Sequence, residues 1–273
     1  PSPWSDGRPG WHIECSVMAK RYLGDEIDIH AGGEDLVFPH HENEIAQSEC
    51  CNGVPFAKYW LHNAFLNIDN KKMSKSLGNF FTVREISEKY DLQVLRFFML
   101  SAHYRSPLNF SADLMEASKN GLERIINAVS NLKSQEQAAG EEEMSGEETA
   151  SLPEICAYEE KFDAAMDDDF NTADAISAVF ELVRFANTHV SSENSKAYIK
   201  AVRNQIVKLC DILGLIVEQE EEILAEDIEK LIEERQAARK EKNFARADEI
   251  RNQLLAKGII LEDTREGVKW KKA

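Results

Sequence analysis

The hydrophobic pattern changes its period near Val83, and this change constrains the fold more than any other feature of the sequence. Before Val83, short apolar runs end in glycine-rich turns, as in Ile27-Asp-Ile-His-Ala-Gly-Gly33 and from Trp60 to Ile68. Apolar runs of about four to eight residues bounded by turn signals are typical of buried strands in an α/β sheet. Apolar residues then recur at helical spacing, as at Leu92, Leu95, Phe98 and Met99. The sequence therefore predicts an α/β part followed by an all-α part.

An acidic stretch interrupts the helical pattern. Between about residues 133 and 153 the chain is rich in Glu, Gln, Ser and Gly and has almost no large apolar residue. Such a segment buries too little apolar surface to offset the entropy of ordering, so we predict a mobile linker or insertion here. Helical periodicity resumes near Glu154 and ends at Leu213, where Gly214 is the predicted C-cap.

A second acidic run, from Glu218 to Glu222, precedes the last segment of the chain. The pattern in this segment predicts helices over 227–240 and 244–256 and a short strand that begins at Ile259. Changes in pattern and composition mark the boundaries of domains. The predicted domains are therefore 1–84 (α/β), 85–224 (a helical bundle with the acidic linker at about 133–153) and 225–273.

Charge and cysteine content exclude several classes of protein. The net charge of −17 argues against a protein that coats nucleic acid nonspecifically, since such binding depends on clustered Lys and Arg. Five cysteines without disulfide-framework spacing fit a reducing cytoplasmic setting. No stretch approaches the roughly 20 apolar residues that cross a bilayer, and no signal peptide begins the chain. We expect a soluble cytoplasmic protein with no membrane partner and, because no Met begins it, a piece of a longer chain.

The string Lys72-Met-Ser-Lys-Ser76 is the most specific motif. An exposed, soluble loop is one interpretation of it. A phosphate-binding loop is the other, because lysines stabilise the negative charge that builds on a leaving pyrophosphate. The string resembles the signature loop of class I aminoacyl-tRNA synthetases. The resemblance implies that Lys72 and Lys75 are catalytic, that Lys75 is the main ATP contact, and that ATP with magnesium is a substrate.

A second set of residues suits a metal ion. His40 and Glu44 stand four residues apart, so a helix begun near Pro39 would place both on one face, and Cys15 precedes them. A thiolate, an imidazole and a carboxylate are all zinc ligands. On spacing alone, a zinc site and an ordinary surface helix beside a single cysteine both remain open. The run is not the His-Glu-x-x-His motif of zinc peptidases, because no second histidine follows at the required offset.

The segments that contain these residues resemble the zinc-binding segments of cysteinyl-tRNA synthetases. They are Gly10-Trp-His-Ile-Glu-Cys-Ser16 and Phe38-Pro-His-His-Glu-Asn-Glu44. The resemblance implies one zinc per subunit, held by Cys15, His40 and Glu44. It also implies a further cysteine ligand from the first half of the catalytic domain, a half that these residues do not include.

The resemblance also implies a pocket for the substrate cysteine. Trp11 would form the floor of the pocket for the substrate cysteine, with His12 nearby, although core packing explains Trp11 equally well without the resemblance. Asp35 lies in His30-Ala-Gly-Gly-Glu-Asp-Leu36, at a strand-to-turn junction where an Asp can hydrogen-bond a ribose. A plain turn explains this segment equally well, so Asp35 is an ATP contact only as a hypothesis.

The C-terminal segment, from Ala238 to Trp270, is similar to the anticodon-binding terminus of the same family. Arg can contact guanine edges, carboxylates can accept hydrogen bonds from base amino groups, and aromatic rings can stack on unpaired bases. The candidate anticodon contacts are Arg239, Phe244, Asp248 and Asp263. A small helical hairpin with solvated charges is the alternative.

The family resemblance implies a ligase that forms cysteinyl-adenylate from L-cysteine and ATP and then transfers cysteine to tRNA(Cys). The fold would be the second half of a Rossmann-type catalytic domain, a helical bundle and a small C-terminal anticodon-binding domain. No His-Ile-Gly-His type string occurs in the sequence, so we predict that these 273 residues alone form no adenylate. Two alternatives remain open: a related ligase that joins cysteine to an amino-sugar, and a tRNA-binding fragment without catalysis.

Overall fold

A computed structural model describes residues 1–69, 71–73, 81–218, 225–240, 243–256, 259–264 and 267–272. The chain divides into two compact units, residues 1–218 and residues 219–273. The first unit contains an α/β part and a set of long helices, and the second is small and has its own core. The predicted α/β part followed by a helical part is confirmed.

A pair of parallel strands with a helical crossover forms the α/β part. Its elements are α1 (His12–Leu23), β1 (Ile27–Gly33), a 3-10 turn (Glu34–Leu36), a π-helical turn (Val37–His41), α2 (Glu42–Asn52) and β2 (Ala57–Asn63). In the register of this pair, Ile27 lies opposite Ala57 and Gly33 lies opposite Asn63. Parallel strands need a crossover connection, which α2 supplies. The carboxyl ends of β1 and β2 therefore meet at one edge, where the π-helical turn leads into α2.

The helix α1 lies against α2 but buries little of its own surface. Ser16 is its one buried residue, and the Ser16 hydroxyl donates to the Gln47 side-chain oxygen on α2 at 3.0 Å. Apolar side chains of α1 remain largely exposed, among them Val17, Met18 and Tyr22. Because burial of apolar surface is the main stabilising term in folding, α1 contributes and receives little stability by packing.

Three short strands connect the α/β part to the helices. They are β3 (Leu66–Ile68), β4 (Lys71–Lys72) and β5 (Leu108–Phe110). The central strand is β3, which pairs antiparallel with β4 and parallel with β5. The backbone of Lys72 pairs with Asn67 on β3, so the lysine string begins on β4. Its remaining functional residue, Lys75, lies outside the described residues, as does the Lys72 side chain.

Amphipathic helices form the core of the first unit. They are α3 (Val83–Ser87), α4 (Leu92–Leu100), α5 (Ala112–Ala138), α6 (Gly146–Asp167), α7 (Thr172–His189) and α8 (Lys196–Ile212). The core includes the fully buried side chains Met115, Ile125, Leu182, Ile199, Ile206 and Leu209. Each such side chain stabilises the fold by about 1.5–3 kcal/mol relative to exposure. The helix α8 ends beside Gly214, whose φ of +66° is left-handed, as the pattern predicts. No helix in the described ranges combines the length and apolarity needed to span a membrane.

The predicted linker over 133–153 is wrong for most of its length. The helix α5 continues to Ala138 and α6 begins at Gly146. Ser145 caps α6, since its hydroxyl accepts from the Glu148 N–H while the Glu148 carboxylate accepts from the Ser145 N–H. Glu147 and Glu148 lie in the first turn of α6, where negative charge is favoured by the helix dipole. Their composition therefore marks the start of a helix here.

The second unit is a helical hairpin with a β-hairpin. It contains α9 (Ala225–Lys240), α10 (Phe244–Ala256), β6 (Ile259–Thr264) and β7 (Gly267–Lys272). Ile232, Ile250, Leu254 and Ile259 form its core. The predicted helices and the strand from Ile259 are confirmed. The antiparallel partner strand β7 is not part of the prediction, although Val268 and Trp270 alternate with lysines as in a half-exposed strand.

Candidate metal centre

Three predicted ligands converge at the carboxyl edge of the β1–β2 pair. Cys15 comes from α1, His40 from the π-helical turn, and Glu44 from the first turn of α2. The thiol sulfur, one imidazole nitrogen and one carboxylate oxygen all lie within 4.8 Å of one another. The four-residue spacing of His40 and Glu44 places both side chains toward Cys15, although His40 lies in the π-helical turn and Glu44 in the regular helix α2.

The Glu44 carboxylate is buried without a hydrogen bond. The residue is 0% exposed, and its two oxygens lie 2.9 Å from His40 Nε2 and 3.2 Å from His30 Nε2. Despite these distances, neither contact is a hydrogen bond, and both oxygens lack a donor among the described residues. Burial raises the pKa of Glu44 to about 7. Burying an ionised carboxylate without a partner costs free energy, and a cation bound at this point would offset that cost.

Further histidines surround the same carboxylate, and the sequence interpretation does not include them among the ligands. His30, His41 and Glu44 form a second group whose ligand atoms lie within 4.8 Å of one another. His41 Nδ1 lies 2.8 Å from Nε2 of His62 on β2. Burial, followed by the charges of His30, His62 and His40, lowers the pKa of His41 to about 4. No spacing in the sequence identifies His30 and His62, because the parallel pairing of β1 with β2 brings them to the cluster.

Neutral imidazoles and an accessible thiol favour metal binding in this cluster. Burial lowers the pKa of both His30 and His40, so these rings are neutral and have a free lone pair at pH 7. Burial, then the charges of Glu44 and Glu14, raises the pKa of the Cys15 thiol. Cys15 thus needs a cation nearby to become a thiolate, which is the form that binds metals.

One glycine permits the close packing of the histidines. A Cβ atom at Gly32 on β1 would lie 2.8 Å from Cε1 of His41. This distance is shorter than any normal contact, so a side chain at position 32 would displace the His41 ring. Gly32 pairs with His62 on β2, and the His62 ring contacts the His41 ring. The absence of a side chain at Gly32 therefore leaves room for the His41 ring in the cluster.

The predicted substrate-pocket residues lie beside the cluster. The Trp11 ring centroid is 4.0 Å from that of His40, and the His12 centroid is 6.2 Å from it. Trp11 is 59% exposed, so core packing does not account for it in this chain. Asp35 lies exposed in the 3-10 turn after β1, at the same carboxyl edge. Trp11 and Asp35 are both accessible to a small molecule.

The predicted anticodon residues belong to the second unit. Arg239 is exposed near the end of α9, and Phe244 is 60% exposed at the start of α10. Asp248 is exposed one turn further along α10. Asp263 lies on β6, and its side chain is outside the described residues. The corner between α9 and α10, closed by a bond from the Asn243 N–H to the Ala238 carbonyl, thus presents a cation and an aromatic ring.

Three family descriptions match successive parts of the chain. Residues 1–120 match the tRNA synthetases class I (C) catalytic domain, residues 161–218 match the DALR domain, and residues 222–270 match the cysteinyl-tRNA ligase anticodon binding domain. Curated relatives are similar along the whole chain. The cysteine–tRNA ligase of Lachnospira eligens is 70% identical over 273 residues, which are 100% of this chain and 58% of the relative.

A second relative is similar along the whole chain, and a solved structure has a similar fold. The cysteine–tRNA ligase of Lachnoclostridium phytofermentans is 64% identical over 277 residues, covering 100% of this chain and 59% of the relative. The chain thus spans a little under two thirds of the length of these relatives. The Agrobacterium radiobacter LeuRS, crystallised as a ternary complex with tRNA and LeuAMS, superposes with a TM-score of 0.57 at 17% identity, over 70% of this chain and 26% of that one. This likeness concerns the fold alone.

Proposed function

The chain belongs to the cysteinyl-tRNA synthetase family, and we propose that the whole enzyme uses ATP to attach L-cysteine to tRNA(Cys). The observation that carries this proposal is the cluster of Cys15 and His40 around the buried, unpaired carboxylate of Glu44. A synthetase for cysteine must distinguish a thiol from the nearly isosteric hydroxyl of serine. A pocket that reads shape alone gives a modest factor between such substrates, so a sulfur-selective group is needed.

The reaction has two steps. The carboxylate of cysteine attacks the α-phosphorus of ATP, which forms cysteinyl-adenylate and releases pyrophosphate. A hydroxyl of the terminal ribose of tRNA then attacks the carbonyl carbon, which releases AMP. Neither step needs a nucleophile from the protein, so the enzyme contributes positioning and electrostatic stabilisation. We assign Lys72 and Lys75 to the charge on the leaving pyrophosphate, with magnesium accompanying ATP, and Asp35 to the nucleotide.

The residues of the cluster fit a zinc ion. Cys15, His40 and Glu44 would hold it, and His30 lies against the second Glu44 oxygen, where it can orient the carboxylate. When bound, zinc supplies a Lewis acid that prefers the sulfur of cysteine to the oxygen of serine. Trp11, exposed and with its ring centroid 4.0 Å from that of His40, would bound the amino-acid pocket, with His12 beside it.

The second unit would read the tRNA. We propose that Arg239, Phe244, Asp248 and Asp263 contact the anticodon. An amino-sugar ligase of related fold would have no use for residues 222–270, which match an anticodon-binding domain. Binding of tRNA(Cys) by this chain in a filter assay would therefore favour the synthetase over that alternative. The free state of all five cysteines favours the cytoplasm as the compartment.

The test of the proposed function is ATP–pyrophosphate exchange. We expect exchange by the full-length enzyme with cysteine and not with serine, and no exchange by these 273 residues alone. Zinc analysis of the purified chain tests the metal part separately. Cysteine-independent exchange by the full-length enzyme, or equal exchange with serine, would contradict the proposal.

A further inference from the structure

Two consecutive residues at the corner between α6 and α7 adopt an unusual backbone conformation. Asp169 has a φ of 58° and Phe170 a φ of 55°. Residues with side chains rarely adopt the left-handed region, and such conformations persist where surrounding structure holds them. Strain of this kind is concentrated at functional positions. We therefore expect contacts from other parts of the fold to hold this corner.

The Asp169 carboxylate is held by residues that are distant in the sequence. Its Oδ1 accepts from the Tyr104 hydroxyl at 2.7 Å, and its Oδ2 accepts from Arg105 Nε at 2.6 Å. The hydrogen bonds from Arg105 and Tyr104 lower the pKa of Asp169. The Arg105 side chain is 54% exposed and that of Asp169 is 40% exposed. Exposed ion pairs add little stability, so stability alone does not explain the strain.

The segment that Asp169 holds leads directly to the three-stranded sheet. The Tyr104 carbonyl accepts from the Ala64 N–H at 2.9 Å, immediately before β3. Thr172, two residues after Phe170, donates its hydroxyl to the Leu100 carbonyl at 2.8 Å. Segment 101–107 is thus fixed from two sides, and β5 follows it at once. Because β5 pairs with β3 and β3 pairs with β4, the corner is linked by hydrogen bonds to the strand on which Lys72 lies.

The turn before β4 depends on the same arrangement. The Asp69 N–H donates to the Phe110 carbonyl on β5 at 3.3 Å, and Asp69 is left-handed with a φ of 48°. The position at which the lysine string begins is therefore set by β5, and β5 is set by the segment that Asp169 holds. The described residues form one continuous chain of contacts from the α6–α7 corner to β4.

We infer that Asp169 is a positioning residue for adenylate formation, acting through Tyr104, Arg105 and the β5–β3–β4 sheet on the lysine string. It touches no reacting atom. This inference rests on the proposed function, in which Lys72 and Lys75 act on the leaving pyrophosphate. Displacement of such groups by a fraction of an ångström lowers the rate of chemistry more than it weakens binding.

The test uses the full-length enzyme and the variant Asp169→Asn. Asn tolerates a left-handed φ, so this substitution removes the charge and keeps the backbone conformation. The matched control is Asp168→Asn, since the exposed Asp168 carboxylate has no partner among the described residues. In ATP–pyrophosphate exchange we expect Asp169→Asn to lower kcat about tenfold. The KM for cysteine, the zinc content and the melting temperature should match those of the control.

A double-mutant cycle sharpens the result. Arg105→Gln should lower kcat similarly, and the double variant should lose no more than either single variant, because the two residues act as one unit. Equal kcat for Asp169→Asn and Asp168→Asn would overturn the inference, as would a parallel loss of zinc and melting temperature, which marks a general structural role. Absence of exchange by the unmodified enzyme would instead overturn the proposed function.

Discussion

Two glutamates in the first unit have opposite environments, although both lie in the first turn of a helix. Glu44, on α2, is fully buried and its two oxygens lack hydrogen bonds among the described residues. Glu148, on α6, accepts from the Ser195 N–H and hydroxyl, each at 2.8 Å, and from the Asn194 amide at 3.1 Å. The Glu44 carboxylate is therefore available to bind a ligand, whereas the Glu148 carboxylate stabilises the fold.

The pKa values of the two groups express this difference. Burial alone raises the pKa of Glu44 to about 7. Burial also acts to raise the pKa of Glu148, but hydrogen bonds from Ser145, Ser195 and Asn194 outweigh it and lower the pKa to about 2. A carboxylate that accepts hydrogen bonds stabilises the protein. A buried carboxylate without donors destabilises it unless a cation binds nearby. Substitutions at the two positions should therefore affect different properties.

The largest expected effect is the loss of zinc on Glu44→Gln. An amide is a poor zinc ligand and leaves Cys15 and His40 alone, so zinc affinity should fall at least about 100-fold. Competition with a chromophoric chelator measures this. Glu42→Gln, in the same turn and exposed, is the control and should retain the affinity. Equal affinity of the two variants would remove Glu44 from the ligand set.

The next effect is on stability. Glu148→Ala leaves the Ser195 N–H and hydroxyl without their acceptor and breaks the cap of α6, so the free energy of unfolding should fall by about 1–3 kcal/mol. Urea unfolding at pH 7 measures it. Glu147→Ala, exposed in the same turn, should change the value by less than about 0.5 kcal/mol. Zinc affinity should be unchanged in both variants, which separates the two glutamates.

A smaller effect is a pH dependence that belongs to Glu148. Its folded pKa of about 2 lies below its ordinary value of 4.5, so its contribution is present above pH 4.5 and is lost as the pH falls toward 2. The stability difference between the unmodified chain and Glu148→Ala should shrink over this window. Urea unfolding at several pH values tests the sign. A difference that grows on acidification would contradict the assignment.

The smallest expected effect comes from Gly32→Ala. The added methyl group would lie 2.8 Å from Cε1 of His41 and would push that ring away from Glu44. Since Cys15 and His40 keep their positions, zinc affinity should fall only about three- to tenfold. Chelator competition again measures it. Gly7→Ala, where no atom lies within 4 Å, is the control.

The sequence predicts local geometry better than long-range convergence. The pairing of His40 with Glu44 follows from a four-residue spacing, and the predicted helix over 244–256 matches α10. By contrast, His30 and His62 reach the cluster through the parallel pairing of β1 with β2, which no spacing reveals. The register of two strands depends on the packing of the whole sheet, so the contribution of His30 could be recognised only in three dimensions.

The prediction of an acidic linker is wrong for a different reason. Composition over 133–153 indicates a segment that cannot bury apolar surface, yet Ser145 and Glu148 stand at capping-box spacing and mark the start of α6. This spacing predicts the start of a helix, but a composition averaged over 133–153 does not reveal it. Residues 139–145 alone separate the two helices.

The weak attachment of α1 has a consequence for how the chain responds to metal. Ser16 is the one buried residue of α1. The amide hydrogens of this helix should therefore exchange with deuterium in seconds to minutes in the metal-free chain. A bound ion would join Cys15 on α1 to Glu44 on α2. The amides of α1 should then become the most strongly protected by zinc, while those of α5 and α8 keep their exchange rates. The metal would thus cross-link α1 to α2 and suppress local unfolding of α1.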